Sequence, residues 1–429
     1  MNTATDTTKT PPTGAPGPQR VIVIGAGIVG VCAGLFLQRA GHSVTIIDPK
    51  PPGRGTSFGN AGSLAVGNVY PVSTPGVWKK VPGMLINPAG PLNIRWSYMP
   101  RMLPWLARFL AAGTPARVER VSKEISALTK DAVASHNLLL SEFGITDIVK
   151  PVGWLKVFGS QQSFEATQAI RDIQVRRGVK IEFLNEDEIR QLEPGLAHGF
   201  THGAFEPDNS FVTSPAMLTD AYAEAFVARG GQFAQERVTR FEFEGEKPIR
   251  AVTDLGMRDA DIFVICAGAW SDRLAAMLGT QVSLDTERGY HLNLDVDSGP
   301  SLRRPVVIED HGFVLAPMRD GMRLTSGVEF AGLDAAPDFR RIYKMLPLAK
   351  AALPGLGDTI TREWMGHRPS MPDSKPVIGR SPVIANVFFA FGHGHLGLTL
   401  SARTGQLIEN LVSGRVSDID LGPYRPDRF

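Results

Sequence analysis

A strand, turn, helix and second strand at the N-terminus constrain this chain more than any other feature. The apolar run Val21-Ile22-Val23-Ile24 leads into Gly25-Ala26-Gly27-Ile28-Val29-Gly30, and a second apolar run, residues 44–47, closes on Asp48. The first run reads as a buried parallel strand. Gly25 permits the tight turn out of it. Gly27 lets backbone approach a pyrophosphate, and Gly30 lets the next helix pack on the strand. The amides opening that helix face the phosphates, with the positive end of the helix dipole behind them. Asp48 lies 18 residues beyond Gly30, placed to accept both ribose hydroxyls. Taken alone, the signature predicts a Rossmann-type domain holding NAD or FAD.

At 429 residues the chain is too long for one ordinary core, so two domains are expected. A hydrophobic content of 43% with 21% charge is that of a globular protein, and a net charge of +2 gives no nucleic-acid signal. The two cysteines, Cys32 and Cys266, sit inside apolar motifs and read as small buried side chains. Residues 1–19 read as a disordered tail, neither signal peptide nor anchor. No run approaches the ~20 apolar residues of a membrane span, so the expected location is the cytoplasm.

Charge is unevenly spread. Residues 49–118 hold no Asp or Glu, but carry Lys50, Arg54, Lys79, Lys80, Arg95, Arg101, Arg108 and Arg117, with Trp78, Trp96 and Trp105. These basic groups serve cofactor phosphates or an anionic substrate. The alternative is a peripheral contact with the inner face of an anionic membrane.

Apolar periodicity predicts helices over 114–143, 164–177, 215–229, 339–353 and 398–412, and buried strands over 154–158, 261–266 and 386–391. Short alternating runs between 288 and 328 suggest a mostly antiparallel sheet. The nucleotide-binding half is visited at least three times, which implies a discontinuous Rossmann-type domain (20–80, 205–280 and 366–429). An α+β substrate domain is inserted twice (81–204 and 281–365). The fold class is α/β.

Glycine recurs where a large flat ligand needs bare backbone: residues 56–62, 267–271 and 391–399. The last segment lies between a strand and a helix, so amides and a helix N-terminus meet at one spot, suited to developing negative charge. Arg368, restricted by Pro369, offers a fixed guanidinium for a carboxylate. Tyr290 and His291 either bind a carboxylate or amine, or fill a sheet face. His393 and His395 lack a third ligand, so no metal site is expected.

These residues carry a resemblance. Segments 25–30, 56–62 (Thr-Ser-Phe-Gly-Asn-Ala-Gly), 285–291, 328–333, 364–370 (Trp-Met-Gly-His-Arg-Pro-Ser), 372–379 and 390–397 together resemble the FAD-dependent D-amino-acid oxidase superfamily. Within it, the chain is similar to the D-amino-acid dehydrogenases and most to glyphosate-oxidoreductase-like members. The resemblance implies non-covalent FAD, held by Gly25, Gly27, Ile28, Val29, Gly30, Asp48, Pro49, Lys50, Thr56, Ser57, Asn60, Ala61 and Gly62. Val238, Ala267, Gly268, Trp270, Gly394, His395, Leu396, Gly397, Leu398 and Thr399 complete that set. It implies Arg368, Tyr290 and His291 as catalytic, with His367 and His393 joining them around a small anionic amino-acid substrate. His367 stands where relatives more often carry an apolar residue. The implied reaction moves hydride from Cα of a D-amino acid or N-substituted glycine to flavin N5. The resulting imine hydrolyses to an oxo acid plus ammonia or amine, and oxygen or quinone accepts the electrons. The alternative is a membrane-associated D-amino-acid or D-hydroxyproline dehydrogenase feeding quinone.

Overall fold

The computed structural model describes residues 17–76, 92–296 and 301–429, with Gly83. Residues 1–16 of the tail, and Trp78, Lys79 and Lys80 of the acid-free stretch, lie outside the described residues.

The apolar runs read from the sequence assemble into a six-stranded sheet. Its order is Gln232–Ala234, Ser43–Ile47, Arg20–Ile24, Ile262–Ile265, Val387–Phe391 and Val377–Arg380. The first five strands are parallel and the last is antiparallel. The central strands are buried on both faces, which is why they are continuously apolar rather than alternating. On one face the helices Ile28–Arg39, Pro215–Ala228 and Gly397–Val412 share a core. The three-stranded meander Val238–Glu244, Lys247–Thr253, Met257–Asp259 and the helix Ser271–Met277 pack on the other.

A second, nine-stranded sheet runs Leu356–Ser370, Asp285–Val296, Gly321–Phe330, Phe313–Met318, Val306–Ile308, Trp154–Phe158, His202–Glu206, Glu182–Leu184, with Leu92–Ile94 beside Gly321–Phe330. It is antiparallel except where Val306–Ile308 meets Trp154–Phe158 and Leu92–Ile94 meets Gly321–Phe330. The helix Arg340–Ala352 covers one face through Ile342, Met345 and Ala349. The other face carries an in-register row: Trp364, His291, Thr325, Val314, Val307 and Lys156. Residues paired in register project to the same side, so this row, apart from the covered His291, lines one side of a cavity.

Some elements differ from their sequence reading. The helix expected over 114–143 is two, Pro115–Thr129 and Ala132–Glu142, because Asp131 leaves helical geometry at φ −105°, ψ 9°. Both pack Val121, Ile125, Leu128 and Leu139 into the core of the parallel sheet rather than the mixed one. The sequence reading named no element over Met99–Ala112, a helix with two prolines: Pro100 occupies its first turn, where no donor is needed, and Pro104 is tolerated inside.

Candidate active site

A single cavity of about 900 Å³ extends from the ends of the parallel strands to the inner face of the mixed sheet. Its nucleotide end is built from backbone. Gly25 takes φ +114°, and a Cβ there would lie 2.3 Å from the Cys266 carbonyl oxygen. A Cβ on Gly30 would lie 1.9 Å from the Gly25 carbonyl oxygen. Only glycine fits either position. The N-cap residue Gly27 brings no side chain to the start of the helix Ile28–Arg39 and its first turn holds no acid, so apart from the Ile28 amide its opening amides and dipole are left for an anion. The Asp48 carboxylate accepts from the Ala26 and Lys50 amides, each at 2.8 Å. Burial pushes its pKa up, and these two amides pull against that shift. Ser57 Oγ accepts from the Ile28 amide at 3.0 Å, tying the loop at 56–62 to the helix start.

The same end is walled by Val29, Pro49, Lys50, Thr56, Val238, Ala267, Gly268 and Trp270. Asn60, Ala61, Gly394, His395, Gly397 and Leu398 also line the cavity. The helix Gly397–Val412 also starts without a side-chain cap or an acid in its first turn, so a second set of amides opens on the cavity. His395 Nε2 lies 3.0 Å from Glu287 Oε2. Four residues expected at the cofactor are not on the cavity wall. Gly30 and Gly62 serve packing, since a Cβ on Gly62 would meet the Val212 carbonyl oxygen at 2.4 Å. Leu396 belongs to the core. Thr399 Oγ1 donates to the Ser63 carbonyl at 3.1 Å and accepts from the Ala65 amide at 3.0 Å.

Arg368 reaches the cavity in an unusual pose. Its guanidinium lies flat over Gly289, where a Cβ would sit 2.1 Å from Nη2, and Nη1 donates to the Gly327 carbonyl at 3.2 Å. Glycine at 289 is what lets the arginine cross its neighbouring strand. Among the described residues the guanidinium forms no ion pair; burial lowers its pKa and the field of Glu287 raises it. A cation so placed is electrostatically incomplete until a carboxylate arrives.

Of the expected substrate residues, Tyr290 borders the cavity with its hydroxyl turned away, while His291 and His367 are off its wall. Consecutive residues of a strand face opposite sides, so Tyr290 and His291 cannot both reach a ligand. The Tyr290 hydroxyl turns to the helix side, donating to Glu329 Oε2 at 2.5 Å and accepting from the Asp338 amide at 3.2 Å. His291 is on the cavity side but fully buried beneath the 56–62 loop, its Nδ1 3.2 Å from the Gly59 carbonyl and its ring stacked 5.0 Å from Trp364. Burial drives its pKa down to about 3. His367 projects away from Arg368 and packs edge-on to Trp270 at 5.4 Å, off the cavity wall. His393 does line the cavity, with Nε2 2.9 Å from Thr404 Oγ1, and burial holds it neutral with a pKa of about 3.

Sequence reasoning missed a polar cluster at the far end of the cavity: Tyr70, Lys156, Glu206, Asn209 and Glu309. Lys156 Nζ lies 2.7 Å from Glu206 Oε1, and Gln174 and Asn209 donate to the same carboxylate at 2.9 and 2.7 Å. The signal was Lys156 itself, a lone charge inside the apolar strand Trp154–Phe158. Cys266 borders the nucleotide end, next to Gly25 rather than to the 56–62 or 391–399 loops, and burial raises its thiol pKa strongly.

The model of the DAO family, described as FAD dependent oxidoreductase, matches residues 20–411. The chain belongs to the DAO family of FAD-dependent oxidoreductases. It is 38% identical to a D-amino-acid oxidase of Bradyrhizobium diazoefficiens over 425 residues, covering 96% of this chain and 100% of the relative. It is 28% identical to a D-amino acid dehydrogenase of Vibrio vulnificus, covering 94% and 98%. Its fold is that of glycine oxidase from Geobacillus kaustophilus, at a TM-score of 0.76 and 21% identity over 96% of this chain and 100% of that one. FAD suits the donor set of this DAO-family chain: glycine-cleared backbone, two uncapped helix starts, and Asp48 held for a ribose.

Proposed function

We propose that the protein oxidises the Cα–N bond of a small amino acid, a D-amino acid or an N-substituted glycine such as glyphosate. The product is an imine, which water converts to an oxo acid plus ammonia or amine. The observation that carries this reading is Arg368, a partly buried guanidinium without an ion pair among the described residues, open to the cavity that also takes FAD. Bound FAD supplies the two-electron acceptor. Arg368 grips the substrate carboxylate and so fixes where Cα lies, which is the orientation that makes the step effectively intramolecular. His393 stays neutral and hydrogen-bonded, and His291 is walled off, so neither takes the substrate proton; a neutral amine needs no side-chain base. The uncapped start of helix Gly397–Val412 offers positive potential where charge accumulates.

The test is anaerobic mixing of the purified yellow protein with D-amino acids, D-hydroxyproline, glycine, sarcosine and glyphosate. Loss of flavin absorbance with at least one is expected. Absence of bleaching by every compound overturns the reading.

A second reading concerns the electron acceptor. No helix of the described residues is long and apolar enough to cross a membrane. Yet Leu103 and Leu110, on one face of helix Met99–Ala112, are exposed, and so is Trp96, just before that helix, at 71%. This apolar face supports peripheral contact with a membrane and delivery of electrons to quinone, although Arg101 and Arg108 lie on the opposite side of the same helix. Oxygen is the other acceptor. Sedimentation with anionic vesicles tests it: no lipid-dependent pelleting removes the membrane reading.

A further inference from the structure

The cavity continues past Arg368 along a floor cleared of side chains. Gly366 pairs with Gly289. The bulge between Arg288 and Tyr290 brings Gly289 beside Gly327. The pairing of Phe313 with Ser326 puts Gly312 next to Gly327, and that of Ile308 with Phe313 puts Glu309 next to Gly312. Arg368 covers Gly289, but a Cβ on Gly327 would meet nothing within 4 Å. A bare track therefore runs from the guanidinium over Gly327 and Gly312 to Glu309, and all four residues line the cavity.

The charges at the far end are not equivalent. Lys156 is committed to Glu206, which Gln174 and Asn209 also hold. Glu309 has no hydrogen bond or ion pair of its side chain among the described residues, and burial raises its pKa although Lys156 works against this. One carboxylate is thus left without its own cation. Three strand spacings separate Gly289 from Glu309, about 14 Å between backbones. Hydrogen bonds of about 2.9 Å at each end leave about 8 Å, the reach of an amino acid whose cation rides on a four-carbon stem.

We propose that Glu309 receives the cationic end of the substrate side chain, so that the preferred substrates are D-amino acids of the lysine or arginine type. Arg368 takes the carboxylate, the glycine track takes the methylenes, and Glu309 with the neighbouring Tyr70 takes the ammonium or guanidinium. This rests on the amino-acid oxidation proposed above.

The test compares D-lysine, its neutral counterpart D-norleucine and the anionic D-2-aminoadipate in anaerobic flavin bleaching, for the native holoenzyme and for Glu309→Gln. The FAD content of the variant confirms that it is folded, and Glu309→Asp stands in if it is not. We expect D-lysine to exceed D-norleucine in kcat/KM by at least tenfold, and that ratio to fall at least tenfold in Glu309→Gln. The ratio should also decline as pH falls toward the raised pKa of Glu309. Preference for D-2-aminoadipate would assign the pocket to Lys156 and overturn the proposal. A lysine-to-norleucine ratio indifferent to Glu309→Gln also overturns it, while leaving amino-acid oxidation standing. Bleaching by none of the three, nor by any compound of the wider panel, would remove the amino-acid reading itself and this inference with it.

Discussion

The two ends of the cavity are made of different material. The nucleotide end is backbone: glycines at 25, 27 and 30, uncapped helix amides, and one carboxylate pinned by two amides. The mixed-sheet end is side chains: Arg368 laid across a strand, Lys156 locked to Glu206, and Glu309 without a partner among the described residues. Backbone recognition tolerates no added atom but ignores which polar side chains surround it. Side-chain recognition changes with one substitution and leaves the fold intact. A cofactor site of the first kind can therefore stay constant while a substrate site of the second kind is retuned.

The largest effects should come from the backbone end. Gly30→Ala puts a Cβ into the Gly25 carbonyl, inside a helix–strand contact that cannot move aside. We expect a loss of about 3 kcal/mol in stability and protein purified without FAD. Gly27→Ala separates packing from ligand: its Cβ meets only Ser57 Oγ at 3.4 Å. That variant should keep its melting temperature as apoprotein and still fail to retain FAD. A yellow Gly27→Ala protein with full FAD content would show that the turn does not approach the cofactor.

At the side-chain end, Arg368→Leu should leave FAD bound and remove the carboxylate grip. Losing one partner of a desolvated charge pair costs about 3 kcal/mol, so kcat/KM should fall about a hundredfold, with KM rising most. Steady-state kinetics on any substrate that bleaches the native flavin decides this. Unchanged kinetics would move the carboxylate site away from Arg368.

The contrast between the ends also explains what was legible in the sequence. Residues 21–48 fold locally, so a strand, three glycines and an acid at fixed spacing announce both structure and ligand. The α/β class and the strands Trp154–Phe158 and Val306–Ile308 were equally plain, because each is a short apolar run. Leu356–Ser370 was not, since its inner face mixes Trp364, Gly366 and Arg368 and shows no apolar alternation. The site on the mixed sheet was harder still. Glu309, Gly312, Gly327 and Arg368 come together only through register across five strands, and no local pattern encodes register. Tyr290 and His291 looked like a pair because they are adjacent in sequence, which in a strand is the reason they point apart.

The smallest predicted effect uses His291, at the seam between the two ends. In the folded protein its pKa is about 3, while an unfolded chain returns it to the ordinary 6.5. Its contribution is therefore fully present above pH 6.5 and is lost as pH falls, because the unfolded state takes a proton the folded state refuses. At pH 5 that amounts to about 2 kcal/mol for this one residue. His291→Phe keeps a ring against Trp364 and removes the titration. The drop in unfolding free energy between pH 8 and pH 5 should shrink by about that amount in the variant, measured by urea denaturation. An equal drop in both proteins would mean that His291 takes up a proton without unfolding. The 56–62 loop would then open to water, and the seam would be a hinge rather than a wall.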